Sequence, residues 1–362
     1  MKTKFVVMVT GLLVFSCIEP ENASGVKIMN TITLETGGYC RDLDFRDSIL
    51  VAAADEMGYA VFNFKIENGE FSSTKAYGLE TGQSPENGLQ GGGVLIPDAY
   101  DYFLMMDQSD ALYYINFSDV DSLGRFPYPG SENRDYMRNF IPAKSTEDSL
   151  VIYTLNRSED GNSTFISVRT VVKDNHFIID TSMNKIDIFF SDFDQIENLN
   201  SDAQSLFYNG GLVAVANSQL GIIVFQESSD GVLNDIVFAA YDTPLGGAVE
   251  TVHSSGKTIF AGQGNDDGCF VVQLSDTGTV AQSVQLAEGY SVKGIHLKDG
   301  TLALACGSDG VLLYEWSGFG EGAVFSEMGR LDSDYAYNVK IYDRETIFAA
   351  TRSGVQVFQI GR

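Results

Sequence analysis

The hydrophobic positions of this chain fall into a short unit that returns seven times. A Gly or small residue opens it, four mostly apolar residues follow, and then comes one polar residue. The copies are Gly58–Asn63, Ala111–Asn116, Asn162–Ser167, Gly221–Gln226, Gly268–Gln273, Gly310–Glu315 and Gly354–Gln359, with opener and polar residue five apart in each. Successive openers are separated by 42 to 59 residues. A strand-built period of roughly 40–50 residues is that of β-propeller blades. Most copies have an apolar run just upstream, as at Ile49–Ala52, Leu212–Val215, Thr258–Ala261, Thr301–Leu304 and Thr346–Ala349. Another lies upstream again, at Ser205–Tyr208, Thr251–His253, Gly294–His296 and Lys340–Tyr342, and a fourth follows, as at Thr279–Leu286. The pattern predicts four short strands per unit.

These runs are nearly continuous rather than alternating, as in strands covered on both faces. Stacked blades cover both faces; an open two-layer sandwich does not. No stretch carries a capped helical period. The expectation is therefore an all-β, seven-bladed β-propeller of four-stranded blades over residues 26–362. The last copy ends almost at the C-terminus, leaving its unit one strand short. Val26–Leu34 can supply that strand, completing the last blade and hiding sheet edges that invite aggregation.

Residues 1–17 read as an address. Lys2 and Lys4 precede an apolar run, Phe5–Phe15, which is too short to span a bilayer but right for a secretory signal. It ends Val14-Phe-Ser-Cys17, which resembles a lipobox, and that resemblance implies a bacterial lipoprotein acylated on Cys17 and tethered through residues 18–25. The expected location is the cell envelope, on the outer membrane, with the membrane met through the lipid on Cys17. With 23 basic and 49 acidic residues the formal charge is −26. That argues against nucleic acid or an anionic membrane surface as partner.

Cys40, Cys269 and Cys306 sit in separate units without CxxC spacing and read as buried thiols. Gly78–Gly93 reads as a flexible connector between the first two units, and 185–197 as an insertion forming an extra outer strand, a lid or a binding loop. Aligning the repeats sets His253 and His296 in one column with Tyr208 and Tyr342, a packing feature rather than a metal pair. The acidic turns fail the EF-type calcium spacing, and no HExxH, Gly-x-Ser-x-Gly or Walker pattern is present. No metal, cofactor or catalytic residue is implied.

The repeat resembles the LVIVD repeat of bacterial and archaeal surface proteins, which runs Gly, apolar residues, then Asp. Here the last column is Asn63, Asn116, Ser167, Gln226, Gln273, Glu315 and Gln359 instead. The resemblance implies an anchored β-propeller lipoprotein and no catalytic residues.

Propeller ligands meet the mouth of the central channel, lined by the innermost strands and the loops leading into them. Those segments carry Arg41, Asp42, Arg134, Tyr136, Arg138, Gln204, Glu250, Lys293, Tyr337 and Asn338 as candidate ligand-binding residues. Mixed charges and aromatics suit a protein or glycan partner, so the first expectation is an interaction module. The alternative is a hydrolase or lyase acting on a glycan or lactone, which requires acids such as Glu250 and Asp42 to converge in the channel.

Overall fold

The computed structural model describes residues 26–77, 90–98, 101–107, 112–117, 119–125, 136–145, 149–157, 164–172, 178–180, 185–188, 203–227, 233–240, 248–320 and 325–361. The signal segment with Cys17, the tether 18–25, Arg134 and residues 189–197 lie outside the described residues. The strands form seven antiparallel sheets. Named in chain order, the first holds Asp42–Arg46, Ile49–Ala53, Tyr59–Glu67 and Glu70–Tyr77, and the second Gly91–Leu95, Tyr102–Asp107, Leu112–Asn116 and Asp119–Arg125. The fourth holds Ser205–Asn209, Leu212–Ala216, Ile222–Glu227 and Leu233–Ala240. The fifth holds Val249–Ser255, Thr258–Gln263, Cys269–Leu274 and Val280–Leu286, and the sixth Gly294–Lys298, Thr301–Ala305, Val311–Trp316 and Phe325–Leu331. Every copy of the sequence repeat is the third strand of its sheet.

The seventh sheet takes three strands from the C-terminus, Ala336–Ile341, Thr346–Thr351 and Gly354–Gly361, and its outer strand, Lys27–Leu34, from the N-terminus. Lys27 pairs with Gly361 and Leu34 with Val355. The substitution of one chain end for the other is close in detail. In the fifth and sixth sheets the left-handed glycines Gly268 and Gly310 press against the carbonyls of Leu286 and Leu331, the last residues of the outer strands. In the seventh, Gly354 presses against the carbonyl of Leu34. The repeat opens on Gly because this hairpin needs a positive φ (74–79° at Gly58, Gly221, Gly268 and Gly310) where a side chain would also meet backbone.

The third sheet departs from the four-strand expectation. Tyr136–Ser145, Ser149–Arg157 and Thr164–Val172 are long, and two short strands, Ile178–Asp180 and Lys185–Ile188, pair along the last of them. A nine-residue third strand has room for both. The start of the expected insertion is thus an outer strand. The glycine-rich connector also differs from expectation at its end, since Gly91–Leu95 is the innermost strand of the second sheet. Gly is required there because the turn of the first sheet docks on it: Asp55 bridges Gly91, and a Cβ at Gly91 would run into the Gly58 carbonyl.

Packing explains the continuous apolar runs. In Ile49–Ala53, Leu50 and Ala52 pack with seventh-sheet residues, while Val51 and Ala53 pack with the second sheet. Each of the seven hydrophobic clusters is filled from two consecutive sheets, and one of them joins the seventh sheet to the first. That junction is aromatic. Phe64 lies 5.3 Å from Tyr342 and 5.5 Å from Phe348, and Phe45 lies 5.2 Å from Tyr342. Such pairs contribute about 0.5–1.5 kcal/mol each beyond their buried area. The turn of the seventh sheet also reaches the head of the first, where Cys40 N–H donates to the Thr351 carbonyl at 2.9 Å.

Candidate functional site

The innermost strand of a sheet has one edge with no strand beside it, so its polar groups must be satisfied across the central space. The side chains of neighbouring innermost strands do this. Asp42 Oδ2 accepts from Val94 N–H at 3.0 Å and Asp44 Oδ2 from Ile96 N–H at 2.8 Å, tying the first sheet to the second. Asn338 Nδ2 donates to Asp42 Oδ1 at 2.6 Å, tying the seventh to the first. His296 Nδ1 accepts from Ile341 N–H at 3.0 Å, tying the sixth to the seventh.

At the head of these strands the ladder carries an extra residue. Gly92, Arg138, Glu250 and Tyr337 each stand where the register shifts by one. In the remaining sheets, Arg41, Gln204 and Lys293 donate their N–H to the carbonyls of Ala53, Ala216 and Ala305, the residues opposite Asp42, Ser205 and Gly294. Two residues therefore face one in every sheet, which is the geometry of a β-bulge and re-aims a side chain out of the ladder. The result is a rim with one residue per sheet around a single cavity of about 480 Å³.

Of the ten residues singled out from the sequence, Arg41, Asp42, Arg138, Gln204, Glu250, Lys293, Tyr337 and Asn338 all line this cavity. Tyr136 begins the innermost strand of the third sheet, and Arg134 lies outside the described residues. Arg41 is held by Asp55 Oδ2 at 2.6 Å and stacks over the Tyr337 ring at 4.6 Å and the Tyr39 ring at 5.6 Å. Beside it Arg352 stacks over Tyr335 at 4.4 Å, and the Tyr335 and Tyr337 rings are 4.6 Å apart. Glu250 and Lys293 form an ion pair. The mouth thus presents an alternating array of guanidinium groups and tyrosines, with Tyr39 48% exposed.

Deeper in the channel lie residues the sequence reading missed as site residues: Asp44, His253, His296 and Lys340. They stand two positions along from the outer channel residues, as the two-residue alternation of a strand requires. The expected column of His253 and His296 with Tyr208 and Tyr342 does not form. By pairing with the second strand, the matching residues are Asp44, Phe207, His253, His296 and Lys340, opposite Val51, Ala214, Phe260, Ala303 and Phe348. Tyr208 stands one residue past its match, and a slip of one turns a side chain to the other face; Tyr342 stands two past its match, beyond the paired strand. Tyr208 donates to Glu227 instead, and Tyr342 joins the aromatic junction.

The electrostatics follow from burial. His253, 7% exposed, lies against Phe207 with ring centroids 4.1 Å apart. Burial, helped by Lys340, pulls its pKa down to about 3, and His296 is lowered well below the usual range for the same reasons. Both imidazoles are neutral near pH 7. Burial raises the Asp44 carboxyl, with Lys340, 3.8 Å away, opposing. Among the described residues three acids line the cavity, and each is engaged: Asp42 and Asp44 by backbone N–H groups, Glu250 by Lys293. Among the described residues no group of three His, Cys, Asp or Glu is placed to hold a metal.

No protein-family model matches the chain, and no curated protein matches it. Solved structures do. The chain is similar to the WD40 β-propeller domain of Doa1, with 14% identity over 93% of this chain and 97% of that one and a TM-score of 0.57. It is similar to the RRP9 WD40 repeats at 12% identity, over 94% and 98% of the two chains, with a TM-score of 0.62. A chain of the Mitotic Checkpoint Complex matches over 100% of both chains at 10% identity and a TM-score of 0.59. The protein is an all-β β-propeller. At these identities the likeness carries the fold and no ligand.

Proposed function

We propose that this protein is a lipid-anchored, extracytoplasmic propeller of seven blades, one per sheet, that binds a protein or glycan partner at the mouth of its channel. The observation that carries the reading is the bulge-built rim. Seven local irregularities at one position converge on one cavity mouth, and an array of tyrosines and guanidiniums sits beside them. Tyrosine faces stack on sugar rings and apolar side chains, and arginine contributes cation–π and multidentate polar contacts. One structural neighbour is a chain of an assembled complex, which accords with a binding role. The anchor rests on Cys17 and the apolar run before it, and the kinship with LVIVD-repeat lipoproteins rests on the seven template copies.

The test is a glycan array and an envelope-extract capture with wild type and a Tyr337→Ala/Arg352→Ala pair, run beside hydrolysis assays. The reading expects a ligand lost from the variant while its melting temperature holds. Turnover without stable binding, or binding indifferent to the pair, refutes it. Palmitate incorporation into wild type and not into Cys17→Ala tests the anchor.

A further inference from the structure

Two positions along from the outer channel residues, three consecutive sheets place His253, His296 and Lys340 side by side, a level called the waist. The two imidazole centroids are 6.0 Å apart. His296 is fixed: its Nδ1 accepts from Ile341 N–H, so in the neutral ring Nε2 carries the hydrogen and is a donor. His253 is more than nine-tenths buried, lines the cavity, and has no hydrogen-bond partner among the described residues. Among the described residues Lys340 has a single loose ion pair, 3.8 Å from Asp44 Oδ1, while the other Asp44 oxygen is taken by Ile96 N–H. In a chain of net charge −26, this waist gathers donors and a cation against a single carboxylate that is already engaged.

We propose that the waist is a second, deeper binding site for a small carboxylate, either a free organic acid or the acid group of a sugar. The carboxylate would accept from Lys340 Nζ and His296 Nε2–H, with His253 as the third contact. This goes beyond the rim reading and does not depend on any partner there. A carboxylate fits better than a phosphate. One ammonium and two neutral imidazoles match a single charge, and the guanidiniums that line the cavity among the described residues, Arg41 and Arg138, belong to the rim. The backbone N–H groups of Val94, Ile96 and Ile341 that could have cradled a phosphate are already capped. A cavity of about 480 Å³ holds a ligand of monosaccharide size.

Among the described residues the charged and titratable groups around the pair are Lys340 from the seventh sheet, Lys298 on the sixth, Glu250 on the fifth with its ion-pair partner Lys293 from the sixth, Tyr208 on the fourth and Asp44 beyond Lys340. His296 Nδ1 is held by the Ile341 N–H, so it is His253 whose protonation an anion seated here favours, and binding should tighten as pH falls from 7 to 5, where simple carboxylates are still largely ionised.

The experiment is calorimetric titration of the full chain with glucuronate, succinate, inorganic phosphate and glucose at pH 7 and pH 5. Lys340→Gln is the variant and Lys257→Ala, on the outer surface, the control. Saturable binding of glucuronate or succinate at least tenfold tighter than of glucose or phosphate is expected. It should be weakened tenfold or more by Lys340→Gln, unchanged in Lys257→Ala and tighter at pH 5. Glucuronate alone assigns a sugar acid; succinate alone, a free acid. Should Lys340→Gln not fold, the pH dependence of wild type still decides. No preference for carboxylates, indifference to Lys340→Gln, or weaker binding at pH 5 overturns the proposal. Because the rim is tested by macromolecular capture and the waist by small anions, either can fail alone.

Discussion

Asp42 is the knot of the channel wall, and removing it is the sharpest test of how the sheets are joined. Its carboxylate receives Asn338 Nδ2 at 2.6 Å from the seventh sheet, Val94 N–H at 3.0 Å from the second and its neighbour Leu43 N–H at 2.8 Å. Asp42→Ala strands the Val94 N–H, whose residue is 5% exposed, and frees the Asn338 amide toward the channel. A buried donor left without a partner costs about 1–3 kcal/mol, and a bond to a charged acceptor is worth about 1.5–3 kcal/mol. Channel water can rescue the Asn338 side, so a net loss of about 3 kcal/mol is expected. With an unfolding entropy of about 2 cal/mol/K per residue over residues 26–361, that loss lowers the melting temperature by roughly 4 °C. Asp42→Asn is the discriminating companion. It keeps the shape but must turn an NH₂ toward a donor, so it should lose at least half as much. Denaturant and thermal melts of both, with Asn338→Ala in a double-mutant cycle, give the answer. Melting temperatures within 1 °C of wild type, or a coupling energy near zero, refute the reasoning.

Other outcomes follow from the same geometry. Deleting residues 26–34 strips the partner of Gly354–Gly361 and bares Val355 and Val357, so the melting temperature should fall by about 10 °C or more with aggregation; an unchanged melt contradicts the closure. Gly310→Ala places a Cβ against the Leu331 carbonyl at φ 79° and should cost about 2–4 kcal/mol, whereas Gly318→Ala, with open space at φ 92°, should cost only about 1 kcal/mol. His253 titrates near 3 when folded and near 6.5 when unfolded, so the unfolded chain takes up the proton first and stability falls as pH drops below 6.5. Between pH 6.5 and 5 His253 accounts for a loss of about 1.6 kcal/mol, since the slope builds up to 1.36 kcal/mol per pH unit as the unfolded imidazole fills; His296, lowered in the same sense, adds to it, so His253→Gln should make the slope shallower in urea titrations without abolishing it. The raised Asp44 carboxyl acts in the opposite sense at lower pH. Cys40, Cys269 and Cys306 are buried with their thiol pKa values raised, to about 12 for Cys306, so a thiol reagent should label them only on unfolding.

Much of the architecture was legible in the one-dimensional pattern because its cause is local. A strand covered on both faces must be apolar throughout, and a hairpin that needs positive φ must open on Gly, so the third strands announced themselves. A C-terminal sheet one strand short, with a spare strand at the other end, likewise pointed to Lys27–Leu34. Position along the innermost strand was legible enough to gather eight of the ten candidate residues at one cavity. What the pattern could not carry was register. Whether His253 aligns with Tyr208 or Phe207 depends on hydrogen-bond pairing across the hairpin, and one residue of slip separates a packing column from a channel lining. Nor could it show that Gly91 is strand rather than loop, since the need for Gly there comes from the Gly58 carbonyl pressing in from another sheet. The rim has the same origin: a bulge is a two-against-one match between strands, a relation no single segment contains.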